Sequence, residues 1–88
     1  MALFTVILEL DGGTYISQFH ALSPKSAAIK HSAYLVGIKG MNTPSIRRRL
    51  AGRLSSEVPI AINGIRKVWC CSASVGKRLA LVSIVATA

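Results

Sequence analysis

The feature that most constrains this chain is the tripeptide Asp11-Gly12-Gly13, set between two runs of strand-forming residues. Residues 3–10 are dominated by large apolar and β-branched types, as a buried strand requires. The glycines supply the positive φ of a tight hairpin turn, and a second strand, Thr14 to Ala21, returns. The central pair of the turn is either Asp11-Gly12 or Gly12-Gly13. Both registers place the same residues on each face, because they differ by a two-residue shift. One face carries Phe4, Val6, Leu8, Leu10, Tyr15, Phe19 and Ala21 and is the expected core side. The other carries Thr5, Ile7, Glu9, Ile16, Gln18 and His20.

A helix follows directly. Ser23 is a good N-cap, and Pro24 sits at the first helical position, where proline is best tolerated. Leu22 is placed to staple back onto Ala27. Ala27, Ala28, His31, Tyr34, Leu35 and Ile38 form one helical stripe, expected to lie on the hairpin's core face. Ile29, Ala33 and Val36 fall opposite it, and Gly37 is a C-terminal stop signal. A linker, Lys39-Gly40-Met41-Asn42, leads to a second helix start at Thr43-Pro44. There Ile46, Leu50 and Leu54 recur every four residues, and Gly52 costs about 1 kcal/mol relative to alanine.

Glu57 to Gly64 contains Pro59 and the turn dipeptide Asn63-Gly64, and reads as a loop with at most a brief extended piece. Two further strands, Arg66 to Val75 and Arg78 to Ala86, are joined at Gly76-Lys77. Neither face of these strands is polar, so they belong in the middle of the sheet or at a subunit interface. The expected architecture is a single α+β domain over residues 1–88, in the order β-β-α-α-β-β. Its four-stranded antiparallel sheet carries both helices on one face.

Composition sharpens the question of what covers the other face. Of 88 residues, 51% are hydrophobic, more than one helix-covered face uses. A homo-oligomer, most simply a two-fold dimer, supplies the missing cover. The net charge of +8 comes from eleven Lys and Arg against Glu9, Asp11 and Glu57, and favours polyanions. The apolar N-terminus lacks the basic region and small-residue cleavage site of a signal peptide. The run Leu79 to Ala88 is ten residues, too short to cross a membrane. No membrane attachment is expected. Cys70 and Cys71 are adjacent, which suggests neither a disulfide framework nor zinc-ligand spacing and points to a reducing cytoplasm.

Acid–base chemistry is short of parts. The three acids include Asp11, which turn geometry already explains, and no serine stands with a histidine and an acid in a recognisable motif. His31 reads as a core histidine bonded by the sheet. The expectation is a non-enzymatic protein with no metal, no cofactor and no small-molecule substrate. The arginine group on the second helix is the strongest binding signal. Arg47, Arg48 and Arg49 spread over about 200° of the helix and Arg53 follows Arg49 by one turn. Arg66 and Lys67, with Lys77 and Arg78, would extend a nucleic-acid footprint if they share its side.

Gly12-Gly13-Thr14-Tyr15-Ile16-Ser17-Gln18, Ser23-Pro24 with Ala27-Ala28, Val68-Trp69-Cys70 and Lys77-Arg78-Leu79-Ala80-Leu81 together resemble a family of small uncharacterised bacterial proteins. The likeness spans nearly the whole chain and implies no catalytic residue. The glycine-rich hairpin followed by a capped helix is also similar, up to Leu35, to the HicB-like antitoxin domain. The function expected from sequence is therefore a protein-interaction or scaffolding homodimer, with nucleic-acid binding through the second helix as the alternative.

Overall fold

Asp11-Gly12 is the central pair of the first turn, with φ of 51° and 77°, so Leu10 faces Gly13. Positive φ at both central positions is the turn whose twist matches a right-handed hairpin. The computed structural model describes residues 2–37 and 44–87. Along it run β1 (Ala2–Leu10), β2 (Gly13–Ala21), α1 (Pro24–Gly37), α2 (Pro44–Ser56), β3 (Ile60–Ala61), β4 (Val68–Val75) and β5 (Arg78–Ala86). The Ile38 of the α1 stripe, the linker 39–42 and the Thr43 cap lie outside the described residues.

The strands form one antiparallel sheet in the order β2-β1-β5-β4-β3. The first and last strands therefore lie side by side in its middle. Both helices cover the face bearing Phe4, Val6, Leu8 and Leu10 of β1, with Ala80, Val82 and Ile84 of β5. These seven side chains are at most 4% exposed, and Leu35, Leu50 and Leu54 close over them from the helices. The β4–β5 turn places Gly76 at φ 61°, the glycine-first turn that a two-residue hairpin accepts.

The sheet has five strands where the sequence gives reason to expect four. The added strand, β3, is only Ile60–Ala61, paired with Cys70 and Trp69. Pro59 before it and Asn63-Gly64 after it mask so short a strand. β4 begins at Val68 and not at Arg66, because Arg66 and Lys67 form a turn in which Lys67 takes φ 62°.

Ser23 caps α1 as its sequence implies. The Ser26 N–H donates to Ser23 Oγ at 3.1 Å, and the Ala27 N–H to the Ser23 carbonyl at 3.0 Å. The Leu22 staple does not form: Leu22 is 83% exposed, beyond the reach of the helix it precedes. The two helices are tied where Lys25 Nζ donates to the carbonyls of Ser55 and Glu57, at and just beyond the C-terminus of α2. A cation there meets the negative end of the helix dipole. Ser23→Ala is expected to lower stability by about 1 kcal/mol, and Leu22→Ala by less than about 0.5 kcal/mol. Denaturant unfolding of the two variants measures both.

Candidate interaction surfaces

Among the described residues no element covers the side of the sheet away from the helices. It presents Ile7 between Ile16 of β2 and Ser83 of β5, and Glu9 beside Leu81. Ile16 is 64% exposed, Leu81 48% and Leu79 56%. Ile60 continues the apolar surface onto β3, next to Cys70. The ionisable side chains on the strands of this face are Glu9, His20 and the Cys70 thiol, so the Lys and Arg side chains of the described strands lie elsewhere. A cleft of about 360 Å³ opens beside it, between Val58, Ile60, Leu81 and the Glu9 and Glu57 side chains. Cys70 is exposed there, whereas Cys71 points into the core, where burial pushes its thiol pKa up.

The cations do not form one footprint. On α2, Arg47 shares a face with Leu50, Ala51 and Leu54 and is half-buried, while Arg48, Arg49 and Arg53 are exposed. Arg53 lines a cleft with Ser56, Glu57, Ser72, Ser74 and Leu79 near the β4–β5 turn. Lys77 sits in that turn, and Arg78 at its exit pairs with Asp11 across the turns. Arg66 and Lys67 lie beyond the other end of β4, about 23 Å away at the rise of an extended strand. The candidate set thus divides: on α2 Arg48 lies towards α1 and Arg53 towards β4, and the Arg66–Lys67 pair lies at the far end of β4.

His31 is 1% exposed and ties α1 to β2 through Ser17, with Nδ1 and Oγ 3.2 Å apart. Phe19 and Tyr34 flank its ring, with centroids 6.2 Å away in each case. Nε2 is buried without a hydrogen-bond partner. We assign the proton to Nδ1, donating to Ser17, because an orphaned lone pair costs less than an orphaned N–H. A Ser–His contact invites comparison with a nucleophile and its base, but neither residue lines any of the clefts described in this section. Tyr34 departs from its expected core position: at 41% exposure it rests against the outer edge of Phe19, 5.9 Å between centroids. Sequence periodicity cannot see this, because Phe19 belongs to the strand at the sheet's margin, which the helix overhangs.

On the outer side of the helix layer, Ile29, Ala33 and Val36 of α1 face Arg48, Ala51 and Gly52 of α2 across a shallow groove. Among the described residues no group of His, Cys, Asp and Glu is arranged to hold a metal, and no helix is long and apolar enough to cross a membrane. Comparison with protein-family models, with curated proteins and with solved structures finds no match.

Burial pushes the His31 imidazole from the ordinary 6.5 down to about 4. The unfolded chain therefore binds a proton more readily than the fold. Stability from this residue is full above pH 6.5 and falls as the pH drops from there towards 4, by about 3 kcal/mol. His31→Leu is expected to flatten that acid limb in thermal unfolding measured across the same interval, while wild type shows it.

Proposed function

We propose that this protein is a non-catalytic interaction module that works as a homodimer, with the uncovered sheet face as the docking surface and a second copy as its partner. The observation that carries this reading is the set of exposed apolar side chains on this face, Ile16 beside Ile7 with Leu81 and Leu79 diagonal to them and Ile60 beyond Ser83 and Cys70, interrupted by the single carboxylate of Glu9. Two chains of charge +8 repel wherever their cations meet, so a weakly charged face is where they approach at least cost. Strands about 4.8 Å apart and about 30 Å long give a face on the order of 500 Å² per copy. A pair then buries about 1,000 Å² in total, the lower bound of a specific interface. Leu81→Lys replaces the leucine beside Glu9 with an ammonium, which turns the middle of the patch into a hydrated ion pair without touching the core. It is expected to halve the mass of the assembly in light scattering, with the far-UV spectrum unchanged; an unchanged mass refutes this use of the face.

A second reading is favoured by the exposure of Arg48, Arg49 and Arg53 on one short helix, of which Arg53 lines the cleft that reaches Leu79 of β5. Such a group contacts phosphates with little sequence choice, and affinity falls steeply with salt. An Arg48→Ala/Arg49→Ala/Arg53→Ala variant should lose at least tenfold in affinity for a mixed-sequence DNA duplex at 50 mM salt. Undiminished binding of that duplex would remove the arginines from consideration.

A further inference from the structure

A separate surface carries a more specific inference, on the margin of the sheet and not on its face. The Thr87 N–H donates to the Leu3 carbonyl at 2.8 Å, so the backbone of Leu3 is turned towards β5. Its neighbour on β2, His20, then belongs to a pair that does not exchange hydrogen bonds, and its own backbone groups point outward. By the alternation of an antiparallel ladder, Thr14, Ile16 and Gln18 also turn their N–H and C=O groups outward. The His20 carbonyl is taken by Lys30 Nζ. No strand of the described fold pairs with the rest of this edge.

Exposed strand edges are normally blunted by a charge, a proline, a bulge or a covering element. β2 itself supplies none of these, and the Lys30 ammonium of α1 blunts only its C-terminal end, at the His20 carbonyl. Its nine residues, Gly13–Ala21, include no Lys, Arg, Asp, Glu or Pro, and its register with β1 runs unbroken from end to end. The other margin of the sheet is different. There β3 covers Trp69 and Cys70, and Arg53 and Glu57 flank the short remainder at Ser72 and Ser74. A second observation points to the same place. On the helix side of β2, Tyr15 and Phe19 are only partly buried, and Tyr34 leans out over Phe19. The sheet thus ends in unpaired amides beneath an incompletely covered aromatic group.

We propose that β2 pairs antiparallel with β2 of a second copy about a two-fold axis at Ser17, joining the two sheets into one. In this register Ile16 exchanges hydrogen bonds with Gln18 of the other copy, and Tyr15 lies opposite Phe19 of the other copy on the helix side. Cross-strand aromatic pairs of this kind stabilise a ladder. The absence of charge along residues 14–19 lets two +8 chains meet at the centre of the seam, with the Lys30 ammonium of each copy kept to its ends at the His20 carbonyl. The pairing uses a surface separate from the sheet face and extends that face across the axis, so with both surfaces occupied two face-to-face dimers join into a four-chain assembly.

Gln18→Pro separates the edge from the fold. Its N–H points outward, so proline removes a seam donor and leaves the β1–β2 ladder intact. By light scattering over a concentration series, Gln18→Pro should halve the wild-type mass while keeping the wild-type far-UV spectrum. Leu81→Lys, which acts on the face, should leave the β2 seam formed. As a readout that does not depend on mass, Ser17→Cys in a Cys70→Ser background should form an intermolecular disulfide on oxidation. Facing residues at the axis lie about 4.5 Å apart between Cα atoms, within bridging range. A monomeric wild type, a mass unaltered by Gln18→Pro, or absence of the Ser17→Cys cross-link overturns the proposal. A foreign extended segment as the natural occupant of the edge would give the first and third of these results. Loss of mass on Leu81→Lys with the cross-link retained supports the face and the seam together; cross-linking with no effect of Leu81→Lys supports the seam alone.

Discussion

The pairing of β1 with β5 is the constraint on which the rest of this structure depends. It brings the first and last strands of the chain into register from Phe4 opposite Ala86 to Leu10 opposite Ala80. Each of these strands then has a neighbour on both sides, which commits their backbones fully and leaves only side chains to pack. The core side chains alternate in size: Val6, Leu8, Val82 and Ile84 are large, while Ala73 and Ala80 face each other where α2 crosses β4. Leu50, Ala51 and Leu54 enter the core from that helix. The tether from Lys25 to the end of α2 then fixes how the two helices lie against each other.

The same pairing creates the molecule's main unbalanced feature. A central strand in a two-layer domain has one face under helices and one in water, yet β1 and β5 carry Ile7, Leu79 and Leu81 on the watered side. Helix α1 and helix α2 come one after the other between the two hairpins, and both fall on the same side. Nothing is left in the described chain to cover the opposite face. An apolar strip on the least charged surface of a strongly basic chain is most simply read as a surface kept for association.

Most of the fold was legible in the sequence, for local reasons. Asp11-Gly12 specifies its turn through positive φ, Ser23-Pro24 specifies a helix start, and the period-2 faces of both hairpins follow once their turns are placed. What could not be read depends on tertiary distance. β3 exists only because Ile60 and Ala61 drift alongside Cys70 and Trp69; two residues hold no periodicity to detect. Tyr34 has the spacing of a core residue but overhangs the margin of the sheet, and Arg47 has the look of a surface cation but lies on the packing face of α2. The candidate arginines illustrate the same limit. Adjacent positions on a helix point in different directions, and the distance from Arg53 to Arg66 is set by the length of β4.

Charge decides which associations this chain can make with itself. A surplus of eight positive charges opposes any approach that brings α2 or the ends of β4 towards their counterparts. Screening at physiological salt shortens that repulsion to about 8 Å, so what matters is the sign of the groups directly at the seam. Among the described residues the open face and the middle of the β2 edge, short of Lys30 at the His20 carbonyl, are poor in charge, and they are adjacent through Ile16, whose side chain belongs to one and whose backbone belongs to the other. Joining two copies along β2 doubles the open face without adding a cation to it. In that arrangement the exposed apolar area per chain is unchanged, but two faces are held side by side in one assembly. Edge pairing, where it forms, would reinforce face burial through effective concentration: once one pair of faces docks, the second docks within the same assembly.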